Sequence, residues 1–231
     1  MSDSVPPTPF SQTSPAPGSH AVPPQPQYFV MPSQSPVRSL RGIGGATRAL
    51  LLAYAVISLA SLLVTGWGIV ELNAYSAGTV GPDALESYGS AAVIVSGMSL
   101  IALLSTGICW LVWQRRAADA FPVGTLRRSP GWHVGSWFIP VVSAWFPFQN
   151  VSDLARASHA RLGRGVLGTW WAAWLVGGLT GGLTRSFSTA HTIPSLINGL
   201  SITILMDALW IVAAIFAWIV VSRITAAIDP S

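Results

Sequence analysis

The chain of 231 residues contains no lysine, and its single cysteine is Cys109. One cysteine excludes an intramolecular disulfide and the paired-cysteine motifs of metal and redox sites. Only 9% of the residues are charged, against roughly a quarter in ordinary soluble domains. Because 51% of the residues are hydrophobic, a core formed by the chain itself cannot bury all of the apolar surface. The composition therefore predicts an integral membrane protein.

Catalytic motifs are also missing from the sequence. There is no HExxH, no GxSxG and no Walker loop. His20, His133, His159 and His191 are scattered without metal-ligand spacing, and no two acidic residues lie close together within an apolar run. We therefore expect a non-enzymatic protein without a cofactor or metal. A serine or histidine site assembled between helices stays open, since it would leave little trace in one sequence.

The first 44 residues differ from the rest in composition. Residues 1–40 hold ten of the seventeen prolines, and Asp3 and Arg38 are the only charged residues among them. A segment of this kind buries too little apolar surface to offset the loss of chain entropy. We expect residues 1–44 to form a disordered, proline-rich tail, and residues 45–228 to form one membrane domain.

Four apolar runs are each long enough to cross a bilayer as a helix, which takes about 20 residues. These predicted spans cover residues 49–70, 91–113, 165–184 and 197–221. Tryptophans lie near several of their ends, as anchoring at the membrane interface favours. The sequence thus predicts an all-α fold with four transmembrane helices.

A fifth apolar stretch, "PGWHVGSWFIPVVSAWFPFQ" at residues 130–149, contains no charge and is also long enough to span. The arginines favour a different interpretation, because basic residues of short loops stay on the cytoplasmic side. With a cytoplasmic amino terminus, a stretch that returns to its own side leaves eleven arginines cytoplasmic and one, Arg185, outside. If the stretch crosses the membrane, eight arginines are cytoplasmic and four are outside. With the returning stretch, both termini are cytoplasmic in a multi-pass plasma-membrane protein.

The prolines of this stretch support the same choice. Pro140 lies in its middle and Pro147 follows seven residues later, and each disfavours helix just before it. We therefore predict a re-entrant or interfacial hairpin at residues 130–149, called the hairpin below, with a kinked spanning helix as the alternative. After it, Val151, Leu154, Ala155, Ser158 and Leu162 recur at helical spacing, which predicts an amphipathic helix on the cytoplasmic leaflet.

Several of these elements carry a resemblance to a known family. The segments "SPGWHVGSWFIPVVSAWFPFQNVSDL", "WWAAWLV" and "VVSRIT" resemble the bacterial membrane proteins grouped as domain of unknown function DUF4328. The resemblance would cover residues 45–228 and implies a four-helix membrane domain without an assigned activity. Its motif residues, together with Asp207, are our candidates for functional or structural importance: Pro130, Gly131, Trp132, Trp137, Pro140, Pro147 and Gln149.

The third span contains two overlapping GxxxG patterns. Gly177 pairs with Gly181, and Gly178 pairs with Gly182. Such glycines let a second helix approach closely. Packing inside the monomer is the preferred interpretation, and a homodimer seam is the alternative.

Asp207 is the only charged residue of the fourth span. It lies about ten residues into the span, near the middle of a bilayer, where a carboxylate should face protein or water. We expect it to point into the bundle, with a serine or threonine such as Ser58, Ser105 or Thr180 as its partner. Arg185 is the nearest basic candidate.

The leading functional prediction is an envelope scaffold or accessory subunit that acts through an unknown protein partner. The alternative is a small transporter or channel component in which the hairpin and Asp207 line a polar path. Arginines at the cytoplasmic surface could also hold anionic lipid headgroups. No separate basic domain exists, which argues against nucleic-acid binding.

Overall fold

A computed structural model describes residues 39–188 and 192–230, with side chains omitted for residues 181–188. Most of the proline-rich tail, residues 1–38, lies outside the described residues. Helix α1 already begins at Leu40, so residues 40–44 of the predicted tail are helical. The side chain of Ser39 caps α1 by accepting a hydrogen bond from the backbone N–H of Arg41.

All regular structure in the described part of the chain is helical. The helices are α1 (Leu40–Ser76), α2 (Pro82–Asp119), α3 (Pro130–Gly135), a 3₁₀ turn (Val142–Ala144), α4 (Phe146–Ala157), α5 (Arg164–Ser188) and α6 (Ile193–Ile228). Each of the four predicted spans falls inside one of the four long helices. The helical class is therefore confirmed.

Three helices are both long and apolar enough to cross a membrane, namely α1, α2 and α6. Helix α5 has 25 residues, about 37 Å at 1.5 Å per residue, so its length would also suffice. The most apolar part of α5 is less hydrophobic than those of α1, α2 and α6, because glycines and tryptophans take the place of aliphatic residues. The described residues thus give three candidate spans, one fewer than the sequence predicted.

The long helices pack in the order α2, α1, α6, α5. Helix α6 contacts both α1 and α5 over most of its length, and α1 also contacts α2. Gly68 permits the contact between α1 and α2, because a Cβ at this position would lie 2.3 Å from the Tyr88 ring. Among the described residues, α2 and α5 share no comparable interface. The hairpin lies at one end of the bundle, where α3 packs on α2 and α4 contacts both α2 and α5.

The hairpin residues do not form one continuous helix. Helix α3 ends at Gly135, turns follow, and the backbone reverses around Pro140 and Val141 before the 3₁₀ turn. Val141 has φ +66°, an uncommon conformation for a β-branched residue. Pro130 and Pro147 lie in the first turns of α3 and α4, where a missing N–H costs nothing. The α-helix is therefore interrupted between Gly135 and Phe146, in the segment that contains Pro140, as the sequence predicted.

The amphipathic helix after the hairpin is shorter than predicted. Helix α4 ends at Ala157, so Ser158 and Leu162 are not on it. Val151 and Leu154 are completely buried in the protein core. The apolar face of α4 thus packs against the rest of the chain, where the sequence had suggested the lipid leaflet.

The glycines of α5 differ in their surroundings. A Cβ on Gly177 would contact Leu209 and Trp210 of α6 at 3.6 Å, so this residue packs inside the monomer. Gly178 is exposed and has no atom within 4 Å of such a Cβ. The expectation that Gly178 packs inside the monomer is wrong, because it faces away from α6. The surroundings of Gly181 and Gly182 and the side chain of Arg185 lie outside what the structure describes, so those parts of the predictions stay open.

Candidate functional site

A buried polar cluster holds the hairpin in place, and Asn150 is at its centre. The Asn150 side chain is completely buried. Its amide nitrogen donates to the carbonyl oxygen of Trp132 at 3.1 Å and to the hydroxyl of Ser136 at 3.2 Å. Its oxygen accepts from Nη1 of Arg128 at 3.3 Å. These bonds connect α4 to α3 and to the segment before it, so the two halves of the hairpin have a fixed relative position.

Arg128 makes two further contacts at the start of α4. Its Nη2 donates a 2.6 Å hydrogen bond to Oε1 of Gln149. The guanidinium carbon lies 3.6 Å from the centre of the Phe146 ring, in cation–π geometry. Gln149, a residue named from the family motif, therefore binds an arginine that precedes the hairpin.

Asp153 is a buried acid whose role the sequence did not reveal. Only 4% of its side chain is exposed, and its Oδ1 accepts from Arg156, one turn later on α4. Oδ1 also lies 3.4 Å from Nε of Arg127, while the buried Oδ2 has no hydrogen-bond partner among the described residues. The only sequence signal for this ion pair was the i, i+3 spacing of Asp153 and Arg156. Such pairs are common on exposed helices, so the spacing did not indicate that Asp153 is buried.

His133 on α3 is completely buried, and neither of its ring nitrogens has a hydrogen-bond partner among the described residues. Burial lowers the pKa of the imidazole from 6.5 to about 4. This effect outweighs the Asp153 carboxylate, which by itself would raise the pKa. At neutral pH the ring is therefore uncharged.

Tryptophans surround Trp137, the hairpin residue that reaches the bundle. Its indole N–H donates to Oε1 of Gln114 on α2 at 3.1 Å. Its ring meets those of Trp110 and Trp174 edge to face, with centroids 6.4 and 5.1 Å apart. Trp171 and Trp174 stack on each other at 5.0 Å. These aromatic contacts bridge α2, the hairpin and α5, which have little direct backbone contact.

A cavity of about 450 Å³ lies between the long helices beside Trp137. Its walls come from α1, α2, α5, α6 and the hairpin, and none of the described residues that line it is charged. Asp207 is not on its surface. The cavity extends from Phe138 of the hairpin to Tyr54 and Trp210 in the bundle.

Asp207 itself is buried, with 7% exposure. Ser61 on α1 lies within interaction range of its carboxylate, and Oδ2 has no hydrogen-bond partner among the described residues. Ser61 thus takes the place that we expected for Ser58, Ser105 or Thr180. The hydroxyl of Thr180 donates instead to the Gly177 carbonyl at 2.8 Å.

The side chains of the remaining motif residues lie outside the polar cluster, although the Trp132 carbonyl accepts a hydrogen bond within it. Gly131 and Pro140 are exposed. Trp132 is 43% exposed, and its ring packs edge to face with Phe146 at 6.0 Å. In the described part of the chain, no three His, Cys, Asp or Glu residues lie close enough together to hold a metal ion.

Comparison with known proteins gives one match. No curated protein and no solved structure is significantly similar to this chain. One protein family matches residues 76–226, close to two thirds of the chain. The match begins at the last residue of α1, whereas the resemblance had suggested a start at residue 45. It contains the hairpin, the polar cluster and helices α2 to α6, and on this basis the chain belongs to the family described as domain of unknown function DUF4328.

Proposed function

We propose that α1, α2, α5 and α6 all cross the plasma membrane, with both termini and the hairpin on the cytoplasmic side. The eleven-to-one distribution of arginines supports this topology, as does the break in the hairpin. The polar cluster at Asn150 also supports it, because buried polar groups satisfy the hairpin backbone without a spanning helix.

Single cysteines test this topology. In a Cys109→Ser background, Ala157→Cys and Arg223→Cys should react with an impermeant maleimide from the cytoplasmic face. Gly81→Cys, in the exposed loop between α1 and α2, should react from outside. Labelling of Ala157→Cys and Gly81→Cys from the same face would show that the hairpin crosses the membrane.

Our functional proposal is a non-enzymatic scaffold or accessory subunit that contacts protein partners through the hairpin. One observation supports it. Hydrogen bonds at Asn150 and Trp137 hold the hairpin in place, while large apolar side chains of the hairpin are exposed. Phe138, Val141 and Trp145 are 71%, 87% and 62% exposed. Exposed apolar side chains that lie close together in sequence, as these do, are typical of surfaces that contact a protein or the membrane.

The test is photo-crosslinking in cells with a reactive amino acid at Phe138 or Trp145. A discrete protein adduct should form at both positions and be absent at Ile101, a 68% exposed residue of α2 that serves as a lipid-facing control. Adducts with lipid alone at all three positions would contradict the proposal. An adduct with a second copy of the chain would indicate a homodimer, for which the exposed Gly178 face of α5 would be the candidate seam.

A transporter or channel component is the second candidate, and Asp207 favours it, because a buried acid with an unpartnered oxygen is a functional candidate in a span. The apolar lining of the cavity argues against a polar path from the hairpin to this acid. Purified protein in liposomes should therefore carry no proton or cation flux under an imposed gradient. Flux in the wild type that Asp207→Asn abolishes would establish the transporter instead.

A further inference from the structure

The cavity beside Trp137 is open toward the lipid-facing side of the bundle. Helices α2 and α5 share no close backbone interface among the described residues, and the cavity lies between them. Three wall residues of α2, namely Leu103, Leu104 and Ile108, are 40%, 58% and 64% exposed. A molecule dissolved in the bilayer could therefore enter sideways between these two helices.

The walls define the chemistry of an occupant. The volume of about 450 Å³ is within the range of about 300–1,000 Å³ that is usual for ligand sites. Among the residues that the structure describes, aliphatic and aromatic side chains form nearly the whole lining and no charged side chain belongs to it. Such a site suits a hydrocarbon chain and excludes ions and sugars.

Two buried donors lie at the hairpin end of the cavity. Nε1 of Trp110, which lines the cavity, has no hydrogen-bond partner among the described residues. Nε2 of Gln114, one turn further along the same face of α2, also has none there. The orientation of the Gln114 amide is fixed, because the Trp137 indole can only donate and so requires the amide oxygen. Both nitrogens are fully buried, so an occupant of the cavity contacts the Trp110 ring and not its N–H.

We propose that the cavity binds the acyl chain of a lipid, which packs against the Trp110 ring. The chain enters between α2 and α5 and packs against the tryptophans and Tyr54. A membrane phospholipid and a free fatty acid both supply this chemistry. The site shares Phe138 with the hairpin surface of the proposed scaffold function, but its test rests on Gly107 and Gly97 of α2, which are not part of that surface.

Quenching of tryptophan fluorescence by brominated acyl chains tests the site. The purified full-length protein in detergent is titrated with dibrominated stearic acid and, separately, with a phosphatidylglycerol whose chains are brominated. We expect saturable quenching by at least one of them. Saturation by the phospholipid alone would identify a membrane lipid as the ligand, and saturation by the acid alone would identify a free fatty acid.

A pair of glycines on α2 provides the matched variants. Gly107 lines the cavity, and a Cβ there would meet no atom within 4 Å, so Gly107→Leu should fill the cavity without displacing the backbone. Gly97 on the same helix is equally open but is not on the cavity wall. Gly107→Leu should abolish saturable quenching, while Gly97→Leu should titrate like the wild type. Equal titration of all three proteins, or linear quenching in each, would overturn the proposal.

Discussion

The indole N–H of Trp137 donates a 3.1 Å hydrogen bond to Oε1 of Gln114, and this bond joins the hairpin to α2. Gln114 is completely buried, so its amide cannot exchange this partner for water. Trp137 also supplies ring contacts to α5, through Trp171 and Trp174. One side chain thus connects three elements that are distant in sequence.

We expect Trp137→Phe to lower the free energy of unfolding by about 2 kcal/mol, because it leaves the buried Gln114 amide unpaired and reduces aromatic contact. Gln114→Leu should lower the free energy of unfolding less in the Trp137→Phe background than in the wild type. The difference gives a coupling free energy of about 1 kcal/mol between the two residues. A thiol-reactive dye can follow melting through Cys109, the only cysteine of the chain. Trp132→Phe is the control, since the Trp132 ring is 43% exposed. Additive effects of Trp137→Phe and Gln114→Leu would show that the bond contributes nothing.

His133 should make the stability depend on pH. Its pKa is about 4 in the folded protein, against the ordinary value of 6.5 for the unfolded chain, so the unfolded chain binds more protons between these values. Stability is therefore complete above pH 6.5 and falls as the pH drops toward 4. The limiting slope is about 1.4 kcal/mol per pH unit. Tryptophan fluorescence in detergent measures the melting temperature across this range.

The variant His133→Leu should flatten this pH profile between pH 6.5 and 4. His159 is exposed, and His159→Leu should keep the slope of the wild type. A slope that persists in His133→Leu would show that a group other than His133 produces the effect.

The four apolar runs and the break in the hairpin were predictable, because hydrophobic length and proline act locally. The polar cluster was not predictable in the same way. Arg128, Asn150 and Ser136 look like ordinary loop and helix residues until the chain reverses around Pro140 and Val141 and brings them together. His133 was one of four scattered histidines in the sequence, and only its burial sets it apart. The cavity depends on the lack of a close backbone interface between α2 and α5 in the described part of the chain, which no local pattern encodes.

The two neighbouring glycines of α5 should respond differently to a branched side chain. Gly177→Ile would force atoms beyond Cβ into Leu209 and Trp210, which already lie at 3.6 Å. Overpacking of this kind costs about 1–3 kcal/mol. Gly178→Ile points into open space and should be neutral or slightly stabilising, since glycine is a poor helix former. Melting followed through Cys109 distinguishes these outcomes. Loss of stability in Gly178→Ile alone would point to a contact with a second copy of the chain.

Helix α4 ends in a Schellman motif whose left-handed position is occupied by histidine. His159 has φ +53°, its N–H donates to the Arg156 carbonyl at 3.1 Å, and the N–H of Ala160 donates to the Ala155 carbonyl at 3.0 Å. Glycine adopts this conformation without the steric cost that a Cβ brings, which is about 1–2 kcal/mol. Because the His159 side chain is exposed, His159→Gly should lose little packing and gain about 1 kcal/mol of stability.

The melting temperatures of the wild type and of His159→Gly measure this gain. Ser158→Gly is the control, since Ser158 has φ −80° and glycine brings no such relief there. If His159→Gly melts at or below the temperature of Ser158→Gly, the left-handed strain at the end of α4 does not exist in solution.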